Sequence, residues 1–208
     1  MDREEHKKQV RQDNKRRFGM LVVGVVVAAM LGLVCYYTME GQAKEPNLVA
    51  VAVKGYLSVE QQQALTERLQ EYTAKSGRAG GIALQVFEFP VDGAENPQTF
   101  ELLSELAGCI STGKTDLVLI EWYVYDLIKG AGLFEDLSKR YPDDPAVTDG
   151  YLYRMEDTGF MQGGQMQDMP DLYLALRSSR SENMNKNSKA MEKYSYMQEL
   201  LDQIVRGG

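Results

Sequence analysis

Hydrophobic and polar residues follow two different periods along most of this chain. Compact apolar runs at 48–53, 82–89, 117–120 and 171–176 predict strands, and the stretches between them repeat apolar residues at helical spacing. The order strand, helix, strand, helix, strand, helix is typical of parallel βαβ units joined by right-handed crossovers. We therefore predict an α/β domain over residues 48–206, with a doubly wound, mostly parallel sheet.

Local signals support the predicted helices. Ser58, with Gln61 three residues later, forms a capping-box pattern at the start of the first helix, and Gly77 ends that pattern. A second amphipathic helix is predicted around residues 100–110. A last helix is predicted over residues 190–205 from the apolar residues that recur on one face.

One segment fits neither period. Residues 18–37 are twenty consecutive residues without a charge, and a helix of that length covers roughly the 30 Å hydrocarbon core of a bilayer. The pattern predicts one transmembrane helix in contact with the lipid bilayer, between a tail at 1–17 and a polar stalk at 38–47. A signal peptide cleaved after Ala43 is the alternative, although its apolar core is usually only about 7–15 residues long.

Charge on the two sides of this segment predicts an orientation. Residues 1–17 carry seven Lys or Arg against four Asp or Glu, whereas residues 38–208 carry sixteen basic and twenty-six acidic residues. Positive flanks stay cytoplasmic, so we expect a single-pass cell-membrane protein with an extracytoplasmic C-terminal domain. The acidic domain also argues against a nucleic-acid partner, because phosphates require clustered Lys and Arg.

Gly108-Cys-Ile-Ser-Thr-Gly113-Lys114-Thr115 matches the phosphate-binding P-loop pattern letter for letter. A working P-loop leaves a strand and opens a helix, whose first N–H groups face the phosphates. In this chain a helical pattern precedes the glycines and a strand pattern follows them. We therefore interpret the match as a helix-to-strand turn, and keep a nucleotide-binding protein only as a remote alternative.

Other arrangements for catalysis or metal binding are weak. His6 is the only histidine and lies in the basic tail, and Cys109 is expected to be a small buried hydrophobe. No spacing indicates a metal site, and no cofactor or catalytic residue is predicted. Four methionines, at 155, 161, 166 and 169, suggest soft-metal ligands but are irregularly spaced in a Gly/Gln-rich loop. We interpret them as apolar loop residues.

The rule for ligand sites in α/β sheets supplies the candidate site. Ligands bind beyond the carboxyl ends of the strands, near the point where the strand order reverses. Tyr56 follows the first predicted strand, and Glu121, Trp122 and Tyr123 follow the third. These four residues would place aromatic surface and a carboxylate at one edge, which suits a small ligand or a protein interface. The competing interpretation is that the aromatic residues pack against the helix that follows.

Two stretches also resemble a known family. The strand 48–53 with Gly55-Tyr56, and the later segment from Gly113 through the strand 117–120 to Tyr141-Pro142, are similar to extracellular solute-binding proteins of the periplasmic-binding type 2 fold. The chain has residues for about one lobe of such a receptor. The resemblance implies a single-lobe, membrane-anchored relative that binds a solute, with the segment after the third strand at the ligand.

Two classes of function follow from these observations. The first is a non-enzymatic membrane protein that binds a small ligand or a protein partner through the extracytoplasmic lobe. The second is a carboxylate-dependent hydrolase or transferase on the same scaffold, in which Glu121 would pair with Asp116 or Asp126. Such an enzyme would need two carboxylates within about 5–10 Å of each other at the strand ends.

Overall fold

A computed structural model describes residues 46–75, 81–93, 95–163, 166, 168–179 and 188–207. Pro46–Gly208 forms one compact unit. The predicted tail, transmembrane helix and nearly all of the stalk lie outside the described residues. None of the described helices has the length and apolar character that crossing a membrane requires. Within the described residues, the expected cell-membrane location and helical bilayer anchor are therefore contradicted.

The described residues contain six strands and four α-helices. The strands are β1 (Asn47–Lys54), β2 (Ile82–Phe89), β3 (Thr115–Glu121), β4 (Val147–Thr148), β5 (Leu152–Arg154) and β6 (Leu172–Leu176). The helices are α1 (Val59–Lys75), α2 (Pro97–Ser111), α3 (Trp122–Ile128) and α4 (Ser188–Arg206). Single 3₁₀ turns cover Lys129–Ala131, Met155–Asp157 and Gly159–Met161.

The sheet is mixed, which corrects the predicted fold class. Its strand order is β2-β1-β3-β6-β5-β4. Only β1–β2 and β1–β3 are parallel, and the pairings β3–β6, β5–β6 and β4–β5 are antiparallel. The prediction of a doubly wound, mostly parallel sheet is therefore wrong. It extended the βαβ order of the first three strands to the whole domain, whereas the chain after β3 returns in the opposite direction.

Helices nevertheless cover both faces of the sheet. Because side chains alternate along a strand, Val49, Val51 and Val53 of β1 share one core cluster with residues of α1 and α4. Ala50 and Ala52 face the other side, in a cluster with residues of α2 and α3. All five side chains are at most 1% exposed, which explains why β1 is an uninterrupted apolar run.

Helix starts agree with the local sequence signals. Ser58 N donates to Gln61 Oε1 at 2.8 Å and Gln61 N donates to Ser58 Oγ at 3.2 Å, which confirms the predicted capping box of α1. At α2, Asn96 Oδ1 accepts from Gln98 N at 2.9 Å and Pro97 occupies the first helical turn. Each arrangement satisfies backbone N–H groups that a helix start leaves without an intrahelical partner.

A buried ion pair connects β3 to the residue that follows β6. Arg177 Nε donates to Asp116 Oδ1 at 2.6 Å, and the two side chains are 4% and 1% exposed. Lys193 of α4 lies 3.8 Å from Asp116 Oδ2. The backbone N–H of Arg177 also donates to the Asp116 carbonyl at 2.8 Å. The antiparallel return of the chain is therefore fixed by both charge and backbone hydrogen bonding at this point.

Tyrosine–carboxylate hydrogen bonds extend this polar network. Tyr194 hydrogen-bonds Glu135, and Tyr141 donates to Asp202 Oδ1 at 2.5 Å. Arg140 lies between the two carboxylates, 3.3 Å from Glu135 Oε1 and 3.4 Å from Asp202 Oδ2. Burial, followed by these hydrogen bonds, raises the pKa values of both tyrosines. The network attaches α4 to the segment between α3 and β4.

Replacing Arg177 by Met tests the buried ion pair. Arg177→Met removes the hydrogen-bonded partner of the buried Asp116 carboxylate and leaves only Lys193 at 3.8 Å, which should lower the free energy of unfolding by about 3 kcal/mol. The double variant Asp116→Leu/Arg177→Met should lose less than the single variant, because it leaves no buried charge. Urea unfolding of the full chain measures both. Lys129→Met breaks the exposed Asp126–Lys129 pair and should cost much less than Arg177→Met, because exposed ion pairs contribute little to stability. Additive losses in the double variant would contradict the role of the buried pair.

Alkaline unfolding tests a second tyrosine–carboxylate pair, Tyr153–Asp144. Burial and the hydrogen bond to Asp144 raise the pKa of Tyr153 to about 12, whereas an unfolded tyrosine ionises near pH 10. The stabilisation is complete below about pH 10 and is lost as the pH rises toward 12. Tyr153→Phe should therefore make the decrease in unfolding free energy across this range shallower. Tyr151→Phe, at a neighbouring exposed position, should leave the slope unchanged, and equal slopes in all three proteins would refute the assignment.

Candidate functional site

The carboxyl ends of β1, β2, β3 and β5 lie at one edge of the sheet, beside the amino end of β6. Glu121 at the end of β3 is opposite Leu172, and Arg154 at the end of β5 is opposite Tyr173. The strand order reverses around β1, because the chain passes from β1 to β2 on one side and then to β3 on the other. This edge is where α/β sheets place ligands.

Three of the four residues predicted for the site lie together at this edge. The Lys54 backbone N–H donates to Glu121 Oε2 at 2.6 Å, and Lys54 Nζ lies 4.7 Å from the centre of the Tyr123 ring. Trp122 packs against Tyr173 with a ring-centroid distance of 6.0 Å. Tyr56 is 71% exposed. Whether these four residues contact a ligand remains a prediction.

Beside them, the described residues form a cavity of about 280 Å³. Its wall combines the ends of β5 and β6 with the methionine-containing segment between them. The lining residues are Arg154, Glu156, Met161, Met166, Met169, Pro170, Asp171, Leu172 and Tyr173. Thioether, aliphatic and aromatic groups supply the apolar surface, and one guanidinium and two carboxylates supply charge. The volume lies just below the range of about 300–1,000 Å³ that is typical of ligand sites.

Helix α1 fixes the methionine-containing segment at both ends. Arg68 donates through Nη2 to the Gly159 carbonyl at 2.7 Å and through Nε to the Phe160 carbonyl at 3.1 Å. Gln61 Nε2 donates to the Asp168 carbonyl at 2.6 Å. Because Gln61 and Arg68 are seven residues apart, they lie on the same side of α1. The cavity wall is therefore held by the folded domain before any ligand arrives.

Burial and nearby charge act together on the Glu121 carboxyl group at this edge. Partial burial raises the pKa of Glu121, the hydrogen bond from Lys54 N opposes that shift, and the nearby charge of Asp171 adds to it. Asp171 in turn lines the cavity. Glu121 and Asp171 are thus adjacent carboxylates at the strand ends, although the sequence analysis did not pair them.

The carboxylate pairs named in the sequence analysis have other contacts. Asp116 is near the opposite end of β3, about 17 Å from Glu121 at 3.3 Å per residue, and is held by Arg177. Asp126 forms an exposed ion pair with Lys129 at 2.6 Å. Glu121 and Asp116 are therefore too far apart to cooperate, whereas the pairing of Glu121 with Asp126 stays a prediction.

The P-loop match has the inverted order that the sequence indicated, with α2 before the glycines and β3 after them. Gly113 has a φ of 74°, and a Cβ there would lie 3.1 Å from Arg177 Nη2, so glycine is needed for close packing. Thr115 Oγ1 accepts from Ala50 N at 3.1 Å and lies 3.0 Å from the Leu48 carbonyl. These contacts give the motif a structural role at the β1–β3 pairing.

Lys193 of α4 takes part in the same turn. Its Nζ donates to the carbonyls of Gly113 at 3.0 Å and Lys114 at 2.6 Å. A cation therefore hydrogen-bonds two carbonyl groups of the turn between α2 and β3. Cys109 is buried, with Sγ 3.7 Å from Gln85 Oε1, which agrees with its expected role as a small core residue.

Comparison with known proteins gives no family for this chain. No protein-family model, no curated protein and no solved structure matches it. The resemblance to extracellular solute-binding proteins therefore stays a prediction. Among the described residues, no group of three or more His, Cys, Asp or Glu side chains has an arrangement suited to a metal ion.

Sequence reasoning missed most of the cavity residues. Arg154, Glu156 and Asp171 become neighbours only because β5 and β6 are antiparallel, which the predicted parallel sheet did not include. The methionines did give a signal, since three of the four that were noticed line this one cavity. Their irregular spacing obscured it, because a loop can bring side chains together without a period.

Replacing Arg68 tests whether α1 holds the cavity wall. Arg68→Met keeps an unbranched apolar stem but removes the donors to the Gly159 and Phe160 carbonyls, and should lower the unfolding free energy by about 1.5–3 kcal/mol. Amide exchange at Met161 and Gln162 should accelerate by more than the global change explains. The control is Glu67→Gln, at an exposed position on α1 that pairs with Gln63. Unchanged amide exchange in Arg68→Met would show that the segment keeps its position without Arg68.

Proposed function

We propose that the domain is a non-enzymatic binding module, with a small ligand held in the cavity at the carboxyl edge of the sheet. The observation that carries the proposal is the cavity itself. It lies where α/β sheets bind ligands, its wall combines thioether, aliphatic and aromatic residues with three charged residues, and the segment beside it is held by Arg68 and Gln61. Preformed sites bind more tightly because less ordering is required on binding.

The charged residues that line the cavity indicate the sign of the ligand's charge. Glu156 and Asp171 bring two carboxylates against the single guanidinium of Arg154. Arg154 already lies 3.6 Å from Glu156 and 3.3 Å from Asp157, so part of its charge is balanced within the protein. A small ligand with a positive charge fits this wall better than an anion.

A carboxylate-dependent hydrolase is the second candidate. The observation that favours it is the raised pKa of Glu121 beside Asp171, since general acids are found where burial and like charge raise a carboxyl pKa. Glu121 also accepts a short backbone hydrogen bond from Lys54, which stabilises its ionised form. Binding is therefore the better supported function.

Ligand-induced stabilisation of the full chain, with Cys35 and Cys109 replaced by Ala, tests the proposal. The probes are methylammonium, choline, K⁺ and Ag⁺, with acetate as the anionic control. A probe that binds the cavity, at one hundred times its Kd, should raise the unfolding midpoint by roughly 5–10 °C. Met169→Trp fills the cavity and should abolish the shift, whereas Met191→Trp, at an exposed position on α4, should preserve it.

Asp171→Asn provides a variant that keeps the cavity volume and removes one negative charge. It should weaken binding of a cation without altering the fold. Stabilisation by acetate alone, an equal shift in Met169→Trp, or no shift with any probe would each contradict the proposal. Release of product from a chromogenic glycoside, lost in Glu121→Gln, would instead favour the hydrolase.

A further inference from the structure

Three methionine residues line the same cavity. Met161, Met166 and Met169 all come from the segment between β5 and β6. Met166 is 5% exposed, and Met161 and Met169 are partly buried against the same core cluster. Within the described part of the chain, three of the nine residues that line the cavity are thus methionines.

Methionine differs from the other aliphatic residues in its chemistry. Its thioether sulphur is neutral, polarisable and a soft ligand, which among biological metals favours Cu(I). Leucine would fill the same space at similar volume. A thioether also needs no deprotonation before it coordinates, unlike a thiol or an imidazolium. Three such groups on one wall are therefore a potential donor set that does not titrate.

The charges beside the methionines favour a cation of low charge. Glu156 and Asp171 face the same cavity as Arg154, so the lining carries one negative charge more than positive. Coulomb attraction in a partly desolvated site is stronger than in bulk water. A hard divalent cation would prefer an oxygen-rich shell, whereas a soft monovalent cation can use sulphur ligands and take the carboxylates as nearby countercharge.

We infer that this cavity binds a soft monovalent metal cation, Cu(I), through the thioethers of Met161, Met166 and Met169. The inference rests on the proposed binding function and narrows its ligand class. Arg68 and Gln61 hold the Gly159 and Asp168 carbonyls on either side of Met161 and Met166, and all three methionines line the same cavity. Fixed donors raise metal affinity because less ordering is required.

Competition with bicinchoninate, under anaerobic reducing conditions, measures Cu(I) affinity of the full chain. Cys35→Ala and Cys109→Ala are included because thiolates bind Cu(I) strongly. The triple variant Met161→Leu/Met166→Leu/Met169→Leu should lose affinity by roughly a hundredfold or more. The matched control is Met155→Leu/Met191→Leu/Met197→Leu, at positions that do not line the cavity, and should change affinity by less than about twofold.

Two further readouts separate a thioether site from other causes. With [¹³C-methyl]methionine, Ag⁺ as the redox-inert probe should shift the signals of the three cavity methionines and leave those of Met155 and Met197 unchanged. Cu(I) affinity should also be constant between pH 6 and 8, since no ligand titrates there. The inference would be overturned if Cu(I) affinity decreased as the pH was lowered through the protonation of His6 and was lost in His6→Ala.

The outcomes distinguish the inference from the function on which it rests. Equal Cu(I) affinity in the two triple variants would refute the metal site. If methylammonium or choline still stabilises the Leu triple variant, the binding function stands and only the ligand class is wrong. If neither a metal nor an organic cation responds to Met169→Trp, both the inference and the proposed function fail.

Discussion

The buried pair of Asp116 and Arg177 is the interaction on which the rest of the structure depends. It lies where the parallel strands β2, β1 and β3 meet the antiparallel strands β6, β5 and β4, and the sheet is continuous there only through β3–β6. A buried ion pair contributes little net stability, but separating its partners is costly. Its effect is on arrangement: any other position of β6 would leave a charge buried without its partner.

The cavity depends on this arrangement rather than on the parallel half of the sheet. Because β6 runs antiparallel to β3, its amino end lies beside the carboxyl end of β3, and the antiparallel β5 brings Arg154 to the same edge. The segment between β5 and β6 must then turn at this edge, where Arg68 of α1 holds it. A parallel β6 would have started at the opposite edge and left the methionines elsewhere.

The sequence predicts local structure well here because local structure has local causes. The apolar runs of β1 and β2 and the Ser58–Gln61 capping box are visible within a few residues, and the structure contains them. The direction of β6 has no local cause, since an apolar run reads the same either way. It follows from contacts such as Asp116–Arg177, sixty-one residues apart in the chain. The edge that contains Glu121 could be predicted from the general rule for ligand sites in α/β sheets. The cavity beside it could not, because it depends on the antiparallel direction of β6.

The methionine-containing segment shows that a loop can bring functional side chains together without a periodic pattern in the sequence. Strands and helices fix which side chains share a face, so their patterns are visible in the sequence. The sequence 159–169 has no such period, yet two side chains on one face of α1 hold the carbonyls of Phe160 and Asp168. A neutral thioether wall beside carboxylates would attract a cation by charge and select it by softness. The selectivity for a cation would then depend on which residues the loop contains. The position of the loop would depend on α1, a helix that contributes no ligand.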